Sequence, residues 1–209
     1  MGKVWLFGGS KKPFGKKLTA NLDTVYYGRH NTDYSEPLQF INQIKEIPDT
    51  VIFNFGNHRH DGKDGDFLTK PQTWKNLTDD TMVTQYFALR LVEWLFSKHS
   101  NISIVWITSM SPYDSHSQWY FPMYKISRAI EHTIMEQFNK LKRVQSKNNI
   151  ISGFCVGNNT EGTPELLNSL IHNKKLTPGI FSMSRVDDSV IISGEAQLYL
   201  KYYEEGNNR

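Results

Sequence analysis

Short apolar runs alternate with longer amphipathic segments along this chain. The runs are mostly apolar at consecutive positions, which is typical of strands that helices cover on both faces of a sheet. They predict strands at residues 4–7, 24–27, 50–54, 102–108 and 150–156.

The longer segments predict helices. The two longest cover residues 80–98 and 120–144, and in the second one apolar residues recur every three or four positions at Ile126, Ile130, Ile134, Phe138 and Leu141. Shorter helices are predicted at 16–22, 37–45 and 164–172. Strands alternating with helices in this way build βαβ units. We therefore expect an α/β fold, a Rossmann-type doubly wound parallel β-sheet with helices on both faces.

Composition narrows the function classes. The 209 residues suit a single domain over residues 1–209, and no internal repeat or linker divides it. The net charge of +3 comes from 24 basic and 21 acidic residues, too balanced to predict nucleic-acid binding. No apolar stretch approaches the ~18 residues of a membrane span, and the N-terminus lacks a signal-peptide core. We expect a cytoplasmic protein with no nucleic-acid or membrane partner.

A glycine-rich loop follows the first strand. Free backbone N–H groups at a strand–loop–helix junction bind anions, and glycines let a phosphate approach the backbone. The lysines beside this loop favour a polyanionic ligand, although a tight turn alone would explain the glycines. Pro13 stands where T-G-x-x-x-G-x-G dinucleotide loops have their middle glycine. The candidate cofactor contacts here are Gly9, Ser10, Lys11, Lys12, Phe14 and Gly15.

The second strand ends at Arg29, the point that reaches the adenosine ribose in a Rossmann unit. A guanidinium there matches a 2′-phosphate and predicts NADP(H) rather than NAD(H); the alternative is an exposed arginine in a turn. Asp33, slightly further on, is a second candidate contact. The following segment leaves no room for the usual second crossover helix, so we expect a compact dinucleotide-binding half.

Three further motifs occur in order. Asn54 and Gly56 end the third strand, Thr108 and Ser109 end the fourth, and residues 124–129 read Y-K-I-S-R-A. With the glycine loop, these segments resemble the short-chain dehydrogenases/reductases over residues 3–160, matching their N-N-A-G, serine and Y-x-x-S-K-A motifs. Only Gly157, followed shortly by Thr160, matches the family's P-G turn after the next strand.

The resemblance implies roles for these residues. Tyr124 would protonate a carbonyl oxygen as hydride arrives, and Ser109 would hydrogen-bond that oxygen. Arg128 replaces the family's lysine; it could supply positive charge and bind the nicotinamide ribose, but it cannot pass a proton onward. In an alternative register Lys125 takes the lysine position, and Phe121 then fills the tyrosine position. The other cofactor contacts implied are Asn54, Gly56, Gly157 and Thr160.

The resemblance thus implies an NADP(H)-dependent oxidoreductase that reduces a carbonyl or C=N bond of a small molecule. Residues 1–156 would form the cofactor-binding and catalytic core, and residues 157–209 a substrate-side segment and C-terminal tail. The alternative is a catalytically silent NADP(H)-binding sensor or assembly protein. Arg128, Pro13 and the absence of the family's catalytic asparagine favour this alternative, and the retained Ser109 and Tyr124 argue against it. Gln85 or Thr84 could hold the asparagine's water, but both are best explained as ordinary helix residues.

Two expectations concern metals and assembly. Residues 57–61 (N-H-R-H-D) contain metal-ligand types but are best explained as a polar loop, and Cys155 as the single cysteine excludes an intramolecular disulfide and a cysteine zinc site. We expect no metal. The family usually pairs subunits through two long helices, here residues 80–98 and 120–144, so we expect a homodimer or homotetramer.

Overall fold

The structure is a computed structural model that describes residues 2–9, 13–55, 71–109, 122–156, 162–186 and 189–195. The strands are β1 (Val4–Phe7), β2 (Thr24–Tyr27), β3 (Thr50–Phe53), β4 (Ser103–Thr108), β5 (Ile150–Val156), β6 (Gly179–Val186) and β7 (Ser189–Glu195). The helices are α1 (Pro13–Leu18), α2 (Pro37–Asn42), α3 (Pro71–Lys98), α4 (Pro122–Lys140), α5 (Lys142–Gln145) and α6 (Thr163–His172).

The strands form one sheet in the order β2-β1-β3-β4-β5-β6-β7. The strands β1 to β6 are parallel, and β7 is antiparallel to β6. The chain runs from β1 to β2 on one side and then crosses back to place β3 on the other side of β1. The direction of winding therefore reverses between β1 and β3, which is the switch point where open α/β sheets bind ligands. The predicted doubly wound Rossmann-type sheet is confirmed.

Helices cover both faces of the sheet because successive strand side chains point to opposite sides. Trp5 and Phe7 of β1 pack with α3 residues such as Phe87 in one core. Val4 and Leu6 pack on the other face, in a second core completed by Leu18 of α1 and by Leu167 and Ile171 of α6. The hydrophobic runs are apolar at nearly every position because both sides of each central strand are buried.

Several predicted boundaries move. The helix predicted at 120–144 is divided into α4 and α5, because Leu141 adopts an extended backbone (φ −74°, ψ 119°). The first helix begins at Pro13 instead of residue 16, since proline is tolerated in a first helical turn. Between β2 and β3 lies only α2, a six-residue helix, as the compact dinucleotide-binding half predicted.

The segment predicted as a tail contains two strands. β6 and β7 extend the sheet beyond β5 and pair with each other from Phe181–Glu195 to Val186–Ser189. β6 has no clear sequence signal, because serines at 182 and 184 interrupt its apolar pattern. Among the described helices, none combines the length and apolar character needed to cross a bilayer.

Candidate functional site

Two glycines shape the switch point between β1 and β3. Gly8 and Gly9 directly follow β1 and have positive φ angles of 74° and 62°, the region that glycine favours. A Cβ on Gly8 would lie 2.8 Å from the carbonyl oxygen of Asn54, and one on Gly9 would collide with the Asn54 side-chain amide. Only glycine lets the β1 turn lie this close to the end of β3.

This glycine turn is the observation that fits a dinucleotide. Its position at the carboxyl ends of β1 and β3 is where such cofactors bind in Rossmann folds. Gly15 is buried on α1 and Phe14 is half-buried. Ser10, Lys11 and Lys12 lie outside the described residues, so their predicted contacts stay predictions.

The turn after β2 leaves Arg29 exposed. Asn31 holds this turn, because its Oδ1 accepts a 2.7 Å hydrogen bond from the Gly28 N–H and its amide donates to the Tyr26 carbonyl at 3.0 Å. Tyr34 is buried beside it and donates to the Tyr27 carbonyl at 2.9 Å. Burial raises the pKa of Tyr34 to about 12, against a smaller lowering effect of the Arg29 charge.

Asp33, the other predicted contact in this turn, has a local hydrogen-bonding role. One of its carboxylate oxygens accepts bonds from the Ser35 N–H at 2.9 Å and the Ser35 hydroxyl at 2.6 Å. These bonds lower the pKa of Asp33. The side chain remains exposed, and its contact with a cofactor stays a prediction.

A buried ion pair occupies the inner face of α4. Arg128 Nη1 lies 2.7 Å and 2.8 Å from the two carboxylate oxygens of Glu131, and the two side chains are 2% and 0% exposed. Arg128 Nη2 also donates to the Phe55 carbonyl at 2.7 Å, while Nη1 reaches the Ile107 carbonyl at 3.4 Å. The guanidinium thus joins α4 to the carboxyl ends of β3 and β4.

Two more donors surround the Glu131 carboxylate. Gln85 of α3 donates to Oε1 at 2.8 Å, and the Thr108 hydroxyl at the end of β4 donates to Oε2 at 2.8 Å. Burial raises the pKa of Glu131, while Arg128 and the hydrogen bonds from Gln85 and Thr108 lower it. These neighbours are all donors, which is the arrangement that an ionised carboxylate requires.

His132 extends the cluster toward Ser109. Its Nε2 lies 3.1 Å from the Thr108 hydroxyl oxygen and 3.8 Å from the Cys155 sulfur, and the ring also bonds to the Ser109 backbone. Burial, with a further contribution from Arg128, lowers the pKa of His132 to about 4. Burial raises the pKa of the Cys155 thiol. At neutral pH the imidazole is therefore uncharged and the cysteine is a thiol.

The structure brings several predicted residues together at one edge of the sheet. Asn54 follows β3, the half-buried Ser109 follows β4, and Arg128 links the two strand ends. Tyr124 lies on the first turn of α4, four residues before Arg128, and its side chain is outside the described part. Gly56, Gly157, Thr160 and the polar segment 57–61 also lie outside it.

Sequence reasoning assigned Arg128 to the cofactor and overlooked Glu131. The i,i+3 spacing of an arginine and a glutamate on one helix was the available signal. The apolar repeat of α4 was also misleading in its first half, because Ile126 is 47% exposed while Ser127, Arg128, Glu131 and His132 are buried. The amide of Gln85, one of the two residues considered for holding the family's catalytic water, donates to Glu131 and, at 3.4 Å, to Ser127.

In the described part of the chain, neither a metal-ligand group nor a cavity indicates a functional site elsewhere. Within the described ranges, no group of three or more histidine, cysteine, aspartate or glutamate side chains could hold a metal ion. A cavity of about 120 Å³, lined by Val4, Asp49, Thr50 and Ser103 among others, lies at the amino ends of the strands. Functional sites of open α/β sheets lie at the opposite, carboxyl edge.

The architecture defines a class: a Rossmann-type α/β protein with its candidate site at the carboxyl edge. No family model and no curated protein sequence matches the chain. Among solved structures, a short-chain dehydrogenase from Streptomyces avermitilis is similar with a TM-score of 0.66 at 14% identity, covering 100% of this chain and 94% of that one.

Two other solved structures carry a cofactor. A short-chain dehydrogenase from Burkholderia cenocepacia in complex with NADP has a TM-score of 0.65 at 11% identity and covers 98% of this chain and 94% of that one. A putative 2-deoxy-D-gluconate 3-dehydrogenase from Agrobacterium tumefaciens with bound NADP has a TM-score of 0.57 at 15% identity, with 85% and 83% covered. The chain has the fold of the short-chain dehydrogenases/reductases, so the predicted resemblance is confirmed for the fold.

Proposed function

We propose that this chain is an NADP(H)-dependent oxidoreductase of the short-chain dehydrogenase/reductase type that reduces a carbonyl or C=N bond of a small molecule. The observation that carries the proposal is the Gly8–Gly9 turn, packed against Asn54 at the switch point of the sheet. The NADP and NADPH complexes among proteins of the same fold support the choice of cofactor.

Residues at the ends of β1 and β2 would bind different parts of the cofactor. The glycine turn after β1 would accept the pyrophosphate. The Gly8 N–H already donates to the Tyr27 carbonyl at 2.9 Å, so the donors to the pyrophosphate would be the backbone N–H groups that follow it. The exposed Arg29 after β2 would pair with the 2′-phosphate through a charge-assisted hydrogen bond. The bound cofactor would supply the hydride.

Ser109 and Tyr124 would handle the substrate oxygen. Ser109 directly follows β4 and therefore lies at the carboxyl edge of the sheet. Its hydroxyl could donate a hydrogen bond to the substrate oxygen. Tyr124 on the first turn of α4 would give it a proton. A free phenol with a pKa of ~10 is a weak acid at neutral pH and benefits from a nearby positive charge.

A second candidate function is a catalytically silent NADP(H)-binding sensor or assembly protein. The Arg128–Glu131 ion pair favours it, because the charge at the family's lysine position is balanced inside the protein. Both candidates bind the same cofactor at the same edge. They differ only in turnover.

Cofactor titration tests what the two candidates share. Wild-type protein should quench or enhance NADPH fluorescence with a saturable curve. Gly8→Ala should weaken NADPH binding by roughly ten-fold, or ~1.4 kcal/mol. The added Cβ would clash with the Asn54 carbonyl, and alanine disfavours the positive φ of residue 8. Gly179→Ala is the matched control: its φ of 141° is also positive, but Gly179 begins β6 at the amino edge of the sheet, where the Cβ would meet only Phe181. Wild type that binds neither NADPH nor NADH would refute both candidates.

Turnover separates them. Tyr124→Phe should abolish NADPH oxidation by a panel of carbonyl and imine compounds and keep cofactor binding, a loss of ~10²–10⁴-fold in rate. Tyr120→Phe is the matched control on the same segment. Full activity in Tyr124→Phe would refute the reductase mechanism. Cofactor binding with no turnover on any compound would favour the silent candidate.

The exposed apolar side chains of α3 and α4 support assembly into a homodimer or homotetramer. Met82 and Tyr86 on α3 are 47% and 51% exposed, and Ile126 on α4 is 47% exposed. The two helices pack against each other, so a self-complementary patch across them could form a two-fold interface.

A further inference from the structure

Arg128 has an unusual environment for a residue predicted to contact a cofactor. Its side chain is 2% exposed, and its guanidinium donates to Glu131 and to the Phe55 carbonyl. The planar fork of an arginine can make such bonds in several directions at once. In this structure two of the Arg128 hydrogen bonds point into the protein interior, one to Glu131 on α4 and one to the Phe55 carbonyl after β3.

Glu131 is the centre of the surrounding bonds. Its two oxygens accept hydrogen bonds from Arg128 of the same helix, from Gln85 of α3 and from Thr108 of β4. One carboxylate therefore connects two helices and a strand, and Arg128 adds the end of β3. A buried ion pair needs this many hydrogen bonds, because taking both charges out of water costs several kcal/mol.

The pair also carries no net charge. A lone cation beside a phenol stabilises the phenolate strongly, whereas an ion pair acts as a dipole whose field declines faster with distance. The 2.7 Å separation of Nη1 and Oε2 makes this dipole short. Arg128 is thus poorly suited to the role that a free lysine plays at this position.

We propose that Arg128 is an internal brace, neutralised by Glu131, which ties α3, α4, β3 and β4 together at the cofactor edge and does not contact the cofactor. The proposal rests on the proposed function only in placing the cofactor at that edge. Its stability consequences hold with or without a cofactor.

A double-mutant cycle with two readouts tests the brace. The variants are Arg128→Met, Glu131→Met and the two combined, measured by thermal unfolding and by NADPH titration. Each single change leaves one buried charge unpaired and should lower the unfolding midpoint by about 10 °C or more. The combined change removes both charges and should recover most of that loss, with NADPH affinity within about three-fold of wild type.

The chain offers a matched control on α3. Arg90 and Glu93 form an ion pair of the same i,i+3 spacing at 2.6 Å, but their side chains are 38% and 45% exposed. The corresponding Arg90→Met and Glu93→Met variants should each shift the midpoint by only about 1–3 °C, because exposed pairs contribute little.

The outcomes are distinct. A stable combined variant that loses NADPH ten-fold or more would overturn the proposal, since Arg128 would then contact the cofactor. A combined variant less stable than both single ones would also overturn it. Should the methionine pair fail to fold, Arg128→Gln with Glu131→Gln is the second neutral pair, and failure of both pairs to fold would count against the brace. Wild type that does not bind NADPH would refute the proposed function and leave the stability cycle intact.

Discussion

The hydroxyl of Thr108 provides a sensitive test of the buried polar cluster. It donates to Glu131 Oε2 at 2.8 Å and lies 3.1 Å from His132 Nε2. Thr108→Val keeps the shape of the side chain and deletes this hydroxyl. Glu131 then loses one donor and the His132 ring loses one hydrogen-bond partner, while both side chains remain away from water.

The expected cost follows from those two lost bonds. Leaving one buried polar group unsatisfied costs about 1–3 kcal/mol, so Thr108→Val should destabilise the protein by about 2–4 kcal/mol. For a chain of this size that corresponds to about 5–15 °C in the unfolding midpoint. A threonine-to-valine change at a core position without a buried hydrogen bond would destabilise the protein far less, because valine fills the same volume as threonine.

Urea unfolding followed by circular dichroism measures the change, with Thr108→Ser as the matched variant. Serine keeps the hydroxyl and loses one methyl group, which costs about 1 kcal/mol. Thr108→Val should therefore be the less stable of the two by at least about 1 kcal/mol. If valine proves as stable as serine, the hydroxyl does not bridge Glu131 and His132 as described.

Because burial and Arg128 lower the pKa of His132 to about 4, from 6.5 in the unfolded chain, its stabilising contribution is present above pH 6.5 and is lost as the pH falls to about 4. His132→Gln should flatten that part of the pH profile of urea unfolding, by up to about 3 kcal/mol. Arg29→Ala should weaken NADPH binding roughly ten-fold or more and spare NADH in parallel titrations, whereas Lys140→Ala should change neither; equal loss for both cofactors would remove Arg29 from the phosphate site. Light scattering at micromolar concentration should find a dimer or tetramer that Ile126→Glu dissociates, and a monomeric wild type would contradict the interface.

The central strands could be predicted because burial on both faces leaves a plain signal. The central strands β1 and β5 have the predicted bounds, and β3 and β4 differ by one residue at one end. The strand β2 also has its predicted bounds, although it lies at the edge of the sheet and is only half-buried. β6 and β7 could not be found in the same way. Polar residues interrupt their apolar runs, Ser182 and Ser184 in β6 and Ser193 in β7.

The candidate site could also be predicted only in part. Residues at strand ends, such as Gly9, Asn54 and Ser109, could be placed because parallel strands bring their carboxyl ends to one edge. The helical face was harder. Apolar periodicity predicted that Ile126 points inward, whereas the structure buries Arg128 and Glu131 at that end of α4. A periodicity count treats charged residues as exposed and cannot recognise a pair that satisfies its own charges.

The arginine at the family's lysine position is best understood together with its neighbours. A lysine has one nitrogen and could not bond the Glu131 carboxylate and the Phe55 carbonyl with the two separate nitrogens that Arg128 uses. Glu131 in turn would be a buried, unpaired carboxylate without Arg128, and Gln85 and Thr108 would donate to a group with no counter-charge. The departure from the family motif is therefore a coordinated set of four residues on α3, α4 and β4. A single Arg128→Lys change would restore the motif but leave its surroundings built for a guanidinium.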